Sequence, residues 1–214
     1  EVAAAVEFLQ TKGVAAYGDC IDVTRDDDVK DWVTRSAAQL GGLDIIVSNV
    51  EAMDLGTGRA SWEKNFNLDV MGLVNLVEAG ETYLEAAAKE HGDAAIVAIS
   101  STAAAAITNA QSYGAVKAAL IHYVKGLAKG FAPRKIRTNT VAPGMVYFEG
   151  GIWSRIEHDN PEGYKAALAK NPMGRMAVPQ DVANAVVFLS SPCASFVSGI
   201  NMIVDGAMTD RVNY

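Results

Sequence analysis

Apolar residues along this chain fall into short continuous runs, separated by longer stretches with helical spacing. Val2, Val6 and Leu9 share one face of a helix predicted over residues 1–12, which Gly13 stops. A brief run at 14–17 predicts a strand. Residues 26–40 predict a second helix, opened by Thr24 and Asp27 as a capping-box-like start and closed by Gly41 and Gly42. The runs at 43–48, 94–100, 138–142 and 202–204 lack the polar alternation of a half-exposed strand, as expected of parallel strands covered on both faces. Helices are predicted between them over 61–89, 112–131 and 179–189, the last with Pro179 in its first turn. Such alternation implies right-handed crossovers and an α/β, doubly wound parallel sheet with helices on both faces. From about 147 to 176 the pattern lapses into Gly, Pro, aromatic and charged residues with one short helix over 162–170. This stretch is a candidate mobile lid within a single domain spanning 1–214.

The 214 residues, 50% of them hydrophobic, supply one sizeable core, and no repeat or linker divides them. No N-cap residue and no initiator Met precede the first helix, so the chain is expected to open inside an element of a longer protein. A formal net charge of -7 argues against a nucleic-acid partner, which needs clustered cations. No apolar run is long enough to cross a bilayer, and the first residues lack the pattern of a signal peptide. Cys20 and Cys193 stand far apart, suggesting neither a disulfide framework nor a zinc site, and His91, His122 and His158 have no ligand spacing. The expectation is a soluble, cytoplasmic protein without a metal.

Ligands of an open parallel sheet bind beyond the carboxyl ends of its strands. Asn49, the Ser100–Ser101 pair and the Pro143–Gly144 pair each follow an apolar run and so belong to that edge. Tyr113 and Lys117 follow, one helical turn apart on a shared face. A phenol is a poor proton catalyst at neutral pH, and a neighbouring ammonium favours its phenolate. A serine hydroxyl within reach can hold a carbonyl oxygen while the tyrosine moves the proton.

The ordered set of Ser100–Ser101, Tyr113-x-x-x-Lys117 and Asn139-x-Val141-Ala142-Pro143-Gly144 resembles the short-chain dehydrogenase/reductase family. Nearly the whole chain shares in the likeness. Asp22-Val23-Thr24 resembles the family's adenine-side segment, and residues 43–49 resemble its L-D-x-L-V-N-N strand. Gly174-Arg175, Pro179, Asp181-Val182-Ala183, Phe188-Leu189, Ser198-Gly199 and Asp205-Gly206 resemble its closing pattern. The resemblance implies a three-layer Rossmann-type domain that interconverts a ketone and a secondary alcohol with NAD or NADP. Ser101 would polarise the carbonyl, with Ser100 as the competing choice; Tyr113 would be the general acid or base; Lys117 would assist it and bond the nicotinamide ribose. Asp22, Val23, Asn49, Val50, Pro143, Gly144 and Val146 would line the cofactor. The lid, with Trp153 and Met173, would admit a fairly apolar small molecule, and the aromatic residues Tyr147, Phe148 and Trp153 would either pack the lid or form a substrate wall. The likeness also suggests a homotetramer or homodimer, formed partly through the helix at 112–131 and the last strand.

Four departures stand out. The family's glycine-rich pyrophosphate turn is not found in residues 1–214, so about 30 residues forming a first βα unit are expected upstream. Asp69 falls where the family usually has an Asn that holds a water leading to Lys117, with Asn67 as an alternative counterpart. Val50–Glu51 replaces Ala-Gly, and Phe148 stands where a Thr often meets the nicotinamide. A non-catalytic relative kept for assembly or binding is the competing expectation.

Overall fold

A computed structural model describes residues 1–107 and 109–212. Among them, four parallel strands lie side by side in chain order: β1 (Ile45–Ser48), β2 (Ala94–Ile99), β3 (Ile136–Pro143) and β4 (Asn201–Val204). The helices are α1 (Val2–Gln10), α2 (Asp26–Leu40), α3 (Arg59–Asn65), α4 (Gly72–His91), α5 (Ser112–Phe131), α6 (Ile152–Asp159), α7 (Pro161–Leu168) and α8 (Pro179–Ser190). They flank the sheet on both sides, giving the three-layer α/β arrangement expected.

One face of the sheet is sealed by α4 and α5. Leu73, Val77 and Leu84 from α4 meet Val116, Leu120 and Val124 from α5 over Ile46, Ile96 and Ile136. Each such fully buried side chain contributes about 1.5–3 kcal/mol by leaving water. The other face is covered by α8, whose Leu189 packs on Val97 and Val141. That cover stops short of β1, leaving Ile45 and Val47 44% and 45% exposed. The sheet is therefore finished at β2 and β3 and open at its β1 edge.

Several sequence-based expectations need correction. Residues 14–17 form no strand, because none of the four strands pairs with them and a strand's backbone groups need such a partner. Thr24 does not cap α2. Its amide and hydroxyl both donate to Asp22, at 2.9 and 2.7 Å, and Arg25 occupies the N-cap without a side-chain bond. The predicted helix over 61–89 is broken by a widened π turn at Phe66–Met71, an inserted residue that turns both Asp69 and Val70 inward.

The segment from about 147 to 176 holds two helices where one was expected. Asn160 ends α6 and starts α7, its Oδ1 accepting from the Gly163 amide at 3.0 Å, with Pro161 in the first turn. The two ends of this segment are pinned together: Tyr147 N–H donates to Ala177 O at 2.8 Å, and Ala177 N–H donates to Met145 O at 2.9 Å.

Beyond this segment, Asp181 opens α8 by accepting from the Val178 amide at 2.8 Å, while Arg175 grips both its oxygens at 2.6 and 3.1 Å. The Arg175 bonds first, then the amide, hold its carboxyl down to about 2 from an ordinary 3.8. A depressed folded-state pKa gives stability that is complete above about pH 4 and lost as pH falls toward 2. Asp181→Asn is expected to flatten that part of the Tm-against-pH curve, measured by thermal melts across the acid range.

Candidate active site

β2 ends at Ile99, and the chain turns through Ser100 and Ser101 into the short 3-10 turn Thr102–Ala104. The two serines part there. Ser100 is buried and its hydroxyl donates to the Lys117 carbonyl at 3.0 Å, so it serves the helix backbone. Ser101 caps the turn, its Oγ accepting from Ala103 N–H at 3.1 Å, and its hydroxyl lies near enough to Tyr113 to favour the phenolate. Gly114 permits this meeting, since a Cβ there would come within 2.5 Å of Ala103 O. Helix α5 can thus lie directly on the turn, with Tyr113 and Ser101 face to face.

Lys117 is 1% exposed, and its ammonium is held from three sides. Asp69 Oδ1 stands 2.6 Å away, Ile99 O accepts at 3.2 Å, and Glu51 Oε2 lies at 3.9 Å. The Asp69 contact is one of charge, because Oδ1 has no aligned hydrogen-bond donor; its other oxygen accepts from Ala52 N–H at 3.0 Å. Tyr113 Oη donates to Glu51 Oε2 at 3.3 Å, and the Lys117 nitrogen stands 5.7 Å from the Tyr113 ring centre.

Two carboxylates therefore face one ammonium beside the phenol. Burial above all, then the charges of Glu51 and Asp69, push the Tyr113 hydroxyl well above its ordinary value, and the nearby Ser101 hydroxyl offsets only part of this. A free phenolate is not the resting form of this tyrosine.

The structure brings Ser101, Tyr113, Lys117 and Asp69 into one cluster at the strand ends. Asn67, by contrast, is exposed on the outside of the π turn. Asn49 lies exposed just past β1, and Pro143 closes β3, with Gly144 and Val146 half-buried after it. Val50 is half-buried next to Glu51. Val23 packs against Gly72, its carbonyl accepting from Asn75 Nδ2 at 3.0 Å, while Asp22 spends its carboxylate on Thr24.

Sequence reading missed Asn65. It is fully buried, donating to Asp54 O and Ser112 Oγ at 2.7 Å each while accepting from Asp54 N–H at 3.1 Å. It thereby ties the loop after Glu51 to the first turn of α5. Only its place in an otherwise exposed helical stretch could have marked it, and its partner Ser112 is 47 residues away.

A cleft of about 590 Å³ opens one residue from Ser101, lined by Thr102, Met145, Lys170, Pro172, Met208 and Arg211 among others. Tyr113 and Lys117 themselves do not line it, nor do the expected Trp153 and Met173. Met173 leans on Gly206 instead, and Trp153 is half-buried in the first turn of α6.

A nicotinamide dinucleotide needs partners for its ribose and for its pyrophosphate. A hydroxyl and an ammonium side by side suit a ribose diol, and the third Lys117 proton has only the loose Glu51 contact, so it is available to one. The glycine-rich turn for the pyrophosphate has no counterpart in residues 1–214. The nicotinamide end therefore fits.

The family model described as enoyl-(acyl carrier protein) reductase matches residues 1–209. The chain belongs to the short-chain dehydrogenase/reductase family. Isoepoxydon dehydrogenase of Penicillium expansum is 39% identical over 195 residues, which cover 90% of this chain and 74% of that protein. Cis-4-hydroxycyclohexanecarboxylate dehydrogenase of Sinomonas cyclohexanicum is 33% identical over 199 residues, 88% of this chain and 74% of that one. A solved 7α-hydroxysteroid dehydrogenase, complexed with NADH and 7-oxo glycochenodeoxycholic acid, superposes with a TM-score of 0.88 at 28% identity. It covers 99% of this chain and 82% of that one. Short-chain dehydrogenase/reductase chemistry is oxidoreduction with NAD or NADP, and this chain is an enzyme of that class.

Proposed function

We propose that the protein oxidises a secondary alcohol carried on a ring to its ketone, or reduces that ketone, with NAD or NADP. The observation that carries the reading is the meeting of the Ser101 hydroxyl, the Tyr113 hydroxyl and the Lys117 ammonium at the end of β2. The cofactor, when bound, accepts or supplies the hydride. Lys117 and Tyr113 would hold its ribose, with Asn49 and the Pro143–Val146 segment beside the nicotinamide and Asp22–Val23 toward the adenine. Ser101 orients the substrate oxygen by hydrogen bonding, and Tyr113 moves the proton at that same oxygen.

The ring substrate follows from two relatives whose names specify a cyclohexane and a steroid alcohol. The cleft beside Ser101 has room for a group of that size. Self-assembly remains part of the proposal, supported by Val187, Phe188, Phe196 and Ile200, which leave an apolar surface around α8 and β4 exposed.

A second reading, a binding or assembly protein without turnover, draws on one observation: Asp69 and Glu51 together neutralise the ammonium meant to assist Tyr113. Both readings meet one experiment. The protein is incubated with NAD or NADP and a panel of ring alcohols, and formation of reduced nicotinamide is followed. Saturable turnover of at least one ring alcohol is expected. Cofactor binding without turnover across the panel would favour the second reading.

A further inference from the structure

We propose that Glu51 is the proton relay of this site, taking from Tyr113 the proton that the alcohol gives up as it becomes a ketone. The proposal rests on the dehydrogenase reading above. Two carboxylates reach the Tyr-Lys pair, and they differ in what else they touch. Asp69 is closed to solvent, with one oxygen on Lys117 and the other on the Ala52 amide, so it has no path outward. Glu51 has one oxygen 3.3 Å from Tyr113 Oη, while its side chain is 41% exposed. The carboxylate meets the phenol on a side chain that reaches the surface.

The phenol needs such a neighbour. Burial and the two negative charges keep Tyr113 protonated, so it can accept a proton only while giving up its own. As the carbinol carbon loses its hydride to the oxidised nicotinamide, the alcohol O–H bond breaks and a new O–H bond forms at Tyr113 Oη. The proton formerly on Oη moves to Glu51 Oε2, and the carboxylic acid releases it to water. The substrate has then lost one hydride and one proton, its C–O bond is double, and Tyr113 is again a phenol. Ketone reduction runs the same atoms in reverse. The charged and titratable groups facing Glu51 are Tyr113 and Lys117 of α5, with Asp69 of the π turn behind Lys117.

In this arrangement Lys117 holds the site together electrostatically, while proton traffic passes on the solvent side. The test uses the protein with Glu51→Ala, Glu51→Asp and Tyr113→Phe, assayed for ring-alcohol oxidation with and without added formate. For Glu51→Ala, kcat is expected to fall about 10²-fold. KM for the alcohol and the cofactor Kd should change little, formate should restore much of the rate, and Glu51→Asp should keep part of it. Rates in mixtures of light and heavy water should bow for the wild type, with two protons in flight, and run straight for Glu51→Ala. An undiminished kcat in Glu51→Ala would overturn the relay, as would a loss that formate does not repair and that tracks weaker cofactor binding. Tyr113→Phe separates the levels: if it is inactive while Glu51→Ala is intact, only the relay falls. If the wild type turns over nothing, the dehydrogenase reading falls with it.

Discussion

Tyr113→Phe is expected to lower kcat for ring-alcohol oxidation by about 10²- to 10⁴-fold, the usual worth of a positioned acid-base group. The phenol oxygen is the atom that meets Ser101, and it also meets Glu51 at 3.3 Å. Removing it deletes the proton path and one anchor of the substrate oxygen at once. The ring remains, buried against Lys117, so the fold should hold. The check is steady-state kinetics beside a thermal melt. A large loss of kcat with a nearly unchanged Tm marks a chemical role, whereas a parallel collapse of both would mark a structural one.

The second large effect concerns stability. Lys117 and Asp69 are 1% and 0% exposed along their side chains and stand 2.6 Å apart. Removing one partner of a buried pair leaves the other charge unmatched in a low-dielectric site, at a typical cost of about 3–5 kcal/mol. Lys117→Met should therefore lower Tm by roughly 10 °C in a domain of this size. Adding Asp69→Asn should recover most of that loss, because the amide carries no charge and still accepts from Ala52 N–H. A double variant as unstable as Lys117→Met alone would show that packing, and not charge, holds this corner.

Much of this was legible because local signals agreed. The apolar runs at β1 to β4 and the helix from Ser112 to Phe131 stand where period and caps placed them. The Tyr113–Lys117 pair needed only the helical spacing to be seen. What stayed hidden depends on distant chain. Residues 14–17 read as a strand, yet strand identity belongs to a pair, and among the described residues no strand pairs with them. Apolar spacing over 61–89 could not disclose the π turn that sends Asp69 inward and leaves Asn67 outside. Glu51 read only as a crowded replacement for a glycine, because its approach to Tyr113 spans 62 residues. Ser100 and Ser101 were indistinguishable until α5 was laid on the turn; then one faced the helix backbone and the other faced the phenol.

Transfer of a labelled hydrogen tests the function at its root. A ring alcohol carrying deuterium on its carbinol carbon is incubated with the protein and the oxidised nicotinamide, and the reduced nicotinamide is weighed by mass spectrometry. The expected result is reduced cofactor heavier by a single deuterium, with the ketone unlabelled at that carbon. Recovery of the alcohol with its label intact, or of an unlabelled reduced cofactor, would contradict hydride transfer at this site.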